Sequence, residues 1–154
     1  MHLVMEDIYC SGVTFIRNFD SANLAKVELV PYDISVLSNT GSHSSASTRI
    51  IPEIPDFEFN IWTTPDCGGT EFENGNRTWF YFGLRANDSS LLIKLNIVDL
   101  NKQAKMYSQG MTPVYKVVPS RNGWDRIRDK PTYANEDEIF TLSFRYRTPD
   151  NPLP

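Results

Sequence analysis

The chain has 154 residues, the length of one domain, and 40 of them are Leu, Ile, Val or Phe, which is enough for a buried core and too many for a disordered chain. Fifteen Lys and Arg against 19 Asp and Glu leave a net charge of −4, which argues against a general nucleic-acid binder. With only His2, His43, Cys10 and Cys67, a four-cysteine zinc site and a disulfide framework are excluded by count, and a mixed Cys and His site by spacing.

Val, Ile and Thr total 31 and the aromatics 19, against six Ala and four Met. β-Branched and aromatic side chains suit a pleated, half-buried surface, so the composition points to an all-β domain. No stretch approaches the ~20 apolar residues of a membrane span, and no membrane partner is expected. Acidic Glu6 and Asp7 stand where a signal peptide would be apolar, so the chain reads as intracellular.

In chain order, residues 1–11 read as an N-terminal extension. Gly12–Arg17 and Leu24–Val30 read as two short strands around the polar turn Asn18–Asn23. Ser38–Thr48 holds five serines and reads as a flexible loop. Phe57, Phe59 and Ile61 alternate with Glu58, Asn60 and Trp62, the period of a strand. Asn74-Gly75-Asn76 signals a turn into Thr78–Leu84, whose aromatics on both faces predict a central, doubly covered strand. Leu91–Val98 places Leu91, Ile93, Leu95 and Ile97 on one face, with Lys94 and Asn96 opposite.

Asp99–Gly110 fits either a short helix ended by Gly110 or an ordered loop. Pro113–Pro119 reads as a proline-bounded edge strand. Ile139–Arg147 alternates cleanly, with Phe140, Leu142, Phe144 and Tyr146 predicted inward. Residues 149–154 form a proline-rich tail that cannot extend the ladder. The expectation is an all-β fold, an antiparallel β-sandwich of about seven to nine strands over residues 12–148, with long polar loops.

A catalytic site is hard to assemble from these residues. His2 and His43 are each followed by three residues that cannot ligate zinc, so neither begins a closely spaced ligand pair. A serine or cysteine nucleophile would have to recruit the same histidines. Gly68-Gly69 lacks the Lys-Ser/Thr of a phosphate loop. Neither a catalytic nor a metal-binding residue is therefore assigned, and no cofactor is expected in this chain. Charge is uneven: residues 53–73 carry six acids and no base, whereas Lys94–Lys130 carries eight bases against three acids. The basic stretch is either an ordinary solvated surface or a face for an acidic partner, with Trp124, Arg126 and Arg128 as its surface anchor.

Five segments in order resemble the opening of the cytosolic carboxypeptidases, most closely their type-five branch. They are Phe19–Glu28 (FDSANLAKVE), Phe57–Cys67 (FEFNIWTTPDC), Thr70–Phe82 (TEFENGNRTWFYF), Leu95–Pro113 (LNIVDLNKQAKMYSQGMTP) and Trp124–Tyr133 (WDRIRDKPTY). Ala22 stands where that pattern has Gly. The resemblance implies an N-terminal antiparallel β-sandwich followed by a zinc carboxypeptidase domain that trims glutamates, branch-point glutamates included, from polyglutamylated tubulin. In that second domain a His-x-x-Glu pair and a distal His hold zinc and a Glu acts as general base. None of those residues can be carried onto this sequence, which is expected to lack the catalytic domain.

The implied partners are the downstream carboxypeptidase domain and glutamylated tubulin tails, with no nucleic acid. The implied location is the cytoplasm, with microtubule or nuclear association. Asn101, Lys102, Lys105, Tyr107, Gln109 and Met111 lie in a long polar connection. That connection is either an interdomain interface or an ordered loop packed on its own sandwich.

Overall fold

The computed structural model describes residues 6–31, 53–118 and 123–150. Within them the chain forms ten strands and one helix: β1 (Ile8–Cys10), β2 (Val13–Ile16), β3 (Leu24–Leu29), β4 (Phe57–Thr63), β5 (Gly83–Ala86), β6 (Leu92–Leu100), α1 (Ala104–Ser108), β7 (Val114–Tyr115), β8 (Asp125–Arg126), β9 (Thr132–Glu136) and β10 (Ile139–Arg147). One sheet has the order β1-β2-β5 and a second the order β3-β4-β6-β10-β9, while β7 and β8 make a separate pair. The fold is all-β, with the two larger sheets sharing one core as a sandwich.

Alternation accounts for that core. Val13 and Phe15 of β2 face Phe59 and Ile61 of β4, Ile93, Leu95 and Ile97 of β6, and Phe140, Leu142 and Phe144 of β10. Phe15 and Phe59 are both fully buried and meet edge to face at 5.0 Å, which ties the two sheets together. Burying such a ring contributes about 1.5–3 kcal/mol relative to leaving it in water. The opposite face of the larger sheet is polar. There Asn96 donates to Glu58 Oε2 (2.8 Å) and to Asn60 Oδ1 (3.0 Å), and accepts from the Ser143 hydroxyl (2.7 Å), so a buried amide sits on the outer face fully partnered.

Several expectations change. The sandwich is not wholly antiparallel, because β4 and β6 run parallel, with Phe57 opposite Ile93 and Ile61 opposite Ile97. The chain between them visits the other sheet through β5, the crossover that a parallel pair requires. Ten strands replace seven to nine, two of them only two residues long. Part of the stretch read as an N-terminal extension is strand: β1 pairs with β2 through Ser11 (φ 53) and Gly12 (φ 83), the positive φ values of a two-residue hairpin turn.

The central strand expected over Thr78–Leu84 is not there. Ladder pairing begins only at Gly83, and the preceding backbone is irregular. Of its aromatics, Phe80 and Phe82 pack on the core, whereas Trp79 and Tyr81 face solvent. Within Asp99–Gly110, β6 runs on through Leu100 and Ala104–Ser108 form the one-turn helix α1. β7 is the core of the expected Pro113–Pro119 strand and pairs with β8 rather than with either large sheet. β10 matches its prediction residue for residue, except that Tyr146 is only partly buried. The serine-rich loop 38–48, both histidines and residues 151–154 lie outside the described residues.

Candidate functional site

Asn23 organises one rim of the sandwich. Its side chain donates to the Trp79 carbonyl (3.0 Å) and accepts the Tyr81 N–H (2.8 Å), while its own N–H donates to the Tyr81 carbonyl (3.1 Å). The Asn23 carbonyl accepts the Thr64 N–H at 2.8 Å. One buried asparagine thus supplies the hydrogen bonds that a neighbouring strand would give to residues 79–81. The segment is held extended without a ladder, so Phe80 turns inward onto Phe144 at 5.8 Å and Tyr81 turns outward. Ala22 needs no glycine, because the left-handed conformation of this turn falls on Ser21 (φ 69).

Outside the sandwich, Tyr81 is 37 % exposed and lies edge-on to Phe19 at 4.9 Å and against Trp124 at 6.1 Å. Trp124, 55 % exposed, immediately precedes β8. Two residues further on, Arg126 donates from Nη2 to the Gly110 carbonyl at 2.6 Å, fastening β8 to the end of α1. The exposed thioethers of Met106 and Met111 lie on and just beyond that helix. The helix end is a Schellman motif: Gly110 (φ 105) donates to Tyr107, and Met111 donates back to Met106 at 3.1 Å.

The predicted site residues divide accordingly. Asn101 ties the start of the α1 segment to residue 77, exchanging a hydrogen bond in each direction at 2.9 and 3.0 Å. Lys102, Lys105 and Gln109 are exposed, as are Met111, Trp124 and Arg126. Tyr107 is not a surface residue. It is 4 % exposed and stacks on Phe140, and burial pushes its phenol above the ordinary value of 10.0. A single helical turn has an inner side, and this tyrosine fills it.

Arg128 is exposed but belongs elsewhere. It lines a cleft of about 530 Å³ with Tyr115, Tyr146, Arg145 and Arg147. In that cleft Arg145 is engaged by Asp129 at 2.7 Å and Arg147 by Glu53 at 2.6 Å. Reasoning from the sequence missed Phe19, Asn23 and Tyr81. Only the two-faced aromatic run gave a signal for Tyr81, and it pointed inward.

The rim offers exposed rings, thioethers and cations on a scaffold held by hydrogen bonds, those of the buried Asn23 foremost. It can cover an apolar partner surface and engage carboxylates. Among the described residues no three His, Cys, Asp or Glu side chains converge into a metal site, so zinc has no fit there.

No protein-family profile matches the chain. It is 50 % identical over 141 residues to the cytosolic carboxypeptidase-like protein 5 of Homo sapiens, covering 92 % of this chain and 16 % of that protein. The Bos taurus protein of the same name is 49 % identical over 141 residues with the same coverage, and that of Danio rerio 45 % over 144 residues, 94 % of this chain. The chain thus spans 16 % of the length of these relatives and matches their N-terminal region. Over more than nine tenths of its length the chain is thus similar to the N-terminal region of the cytosolic carboxypeptidases.

Proposed function

We propose that this chain is the non-catalytic N-terminal unit of a zinc metallocarboxypeptidase that removes glutamates, including branch-point glutamates, from polyglutamylated tubulin in the cytoplasm. In this reading zinc, its ligands and the catalytic Glu belong to the downstream unit, and no chemical step passes through the residues described. The rim of Phe19, Tyr81, Trp124, Met106 and Met111 packs on the carboxypeptidase unit. Lys102 and Lys105, exposed beside it, attract the acidic tails. The observation that carries the reading is that rim itself: large apolar side chains are left in water on a chain about half identical to the N-terminal region of carboxypeptidases.

A second reading rests on the exposed lysines of the α1 segment: a stand-alone sandwich that binds acidic protein tails with no enzyme attached. One titration separates the two. The chain is mixed with the carboxypeptidase unit of a family member supplied in trans, or with a glutamate-rich peptide, while the heat of binding is followed by isothermal titration calorimetry. The first reading expects binding to the unit that weakens about tenfold or more in Tyr81→Ala or Trp124→Ala, the scale of an aromatic anchor. The chain alone should release no glutamate from polyglutamylated peptide. Binding to the peptide alone, salt-sensitive and lost on neutralising Lys102 and Lys105, would select the second reading. Metal-dependent glutamate release by the purified chain would overturn both.

A further inference from the structure

The larger sheet ends in two edge strands of different character. At one end β3 is obstructed: Arg17 reaches over it to donate to the carbonyls of Leu24 and Ala25 (3.4 and 3.2 Å), and its register with β4 shifts between Leu24 and Lys26. At the other end β9 pairs with β10 without a shift, and all five of its residues are exposed. No hydrogen bond among the described residues reaches its open side. An unobstructed edge is a template for another strand.

The hairpin fixes which groups that template presents. Asp137 (φ 51) and Glu138 (φ 67) form the two-residue turn, so Glu136 and Ile139 flank it as a hydrogen-bonded pair. With period two, Glu136, Ala134 and Thr132 direct their backbone groups at β10. Tyr133 and Asn135 direct theirs outward. The next residue in that phase is Pro131, which has no N–H, so the open ladder is limited to those two.

We propose that this edge pairs antiparallel with the same edge of a second copy of the chain, joining the two five-stranded sheets into one of ten. The flanking charges select that occupant. Arg128 and Lys130 precede β9, while Glu136, Asp137 and Glu138 end it. An antiparallel copy centred on Ala134 places Tyr133 opposite Asn135, closing four N–H···O=C bonds, and brings Lys130, just before β9, to the end where the other copy has its Asp137-Glu138 turn. Ala134 then meets its counterpart in a non-hydrogen-bonded pair, where Cα atoms approach to about 4.5 Å and its small side chain offers no obstruction. Tyr133, 42 % exposed at the rim of the core, gains cover. An acidic peptide would instead meet three carboxylates at one end of the strand.

Sedimentation velocity over a concentration series of the full 154-residue chain tests this. A reversible monomer–dimer equilibrium is expected. Asn135→Pro removes an outward donor and no bond to β10, so it should raise the dimer dissociation constant about tenfold or more with little change in melting temperature. Lys130→Glu should weaken the dimer, and Lys130→Glu combined with Glu138→Lys should restore it. Circular dichroism confirms that each variant folds. A chain that stays monomeric throughout overturns the proposal, and so does a dimer indifferent to both changes. Protection of the Tyr133 and Asn135 amides by an added glutamate-rich peptide, in place of dimerisation, would give the edge to another protein and also overturn it.

Discussion

Asn23 carries more of this fold than its size suggests. Replacing it with Ala leaves the Trp79 carbonyl and the Tyr81 N–H without their side-chain partner in a part-buried setting. Each orphaned group costs about 1–3 kcal/mol. The expectation is a loss of roughly 2–4 kcal/mol of unfolding free energy in urea titration, with Tyr81 and Phe80 released together. Ionised Asn23→Asp keeps the acceptor but not the donor, whereas its protonated carboxyl donates again, so the variant should fall between wild type and Asn23→Ala only at low pH. A change below about 0.5 kcal/mol in Asn23→Ala would mean that residues 79–81 hold their path without it. The residue also explains a misreading. Alternation in Trp79–Phe82 is real, but a pattern of apolar residues does not reveal whether a strand or a side chain completes the hydrogen bonds.

α1 shows the same limit one level up. Five residues are too few for periodicity, so Tyr107 looked like one more polar-loop residue until its ring was found over Phe140. The helix stop was legible, because glycine after a short polar run is the usual C-terminal signal, and Gly110 does take the left-handed conformation (φ 105). Open space surrounds a Cβ added at Gly110, so the cost of Gly110→Ala is conformational rather than steric. It should lower stability by about 1 kcal/mol, a few degrees in melting temperature for a domain of this size. The carbonyl that Arg126 uses sits on the same residue, so the substitution should also loosen β8 and increase solvent quenching of Trp124 fluorescence. Unaltered melting and quenching together would show that the helix end does not position the rim.

Over the whole molecule, legibility followed burial. β10 was readable to the residue because every second side chain enters the core, and β4 and β6 nearly so. β9 gave no signal because all its residues are exposed and its turn is Asp-Glu rather than Asn-Gly. The parallel β4–β6 pair was invisible in principle, since both strand directions share one side-chain period. The same distribution predicts a graded stability. β4, β6 and β10 each lie between two hydrogen-bonded neighbours and fill the core, whereas β7 and β8 pair only with each other, and β8 is exposed. Native-state hydrogen exchange should therefore find the amides of Phe59, Ile61, Leu95, Ile97, Leu142 and Phe144 opening only with global unfolding, at about 5–15 kcal/mol. Those of β7, β8 and the Thr64–Thr78 loop should open locally and much faster. Equal protection of β8 and β6 would contradict a rim carried on loosely held elements around a rigid central sheet. The predicted gradient leaves Trp124 and Arg126 free to adjust to a partner while Asn23 keeps Tyr81 in place.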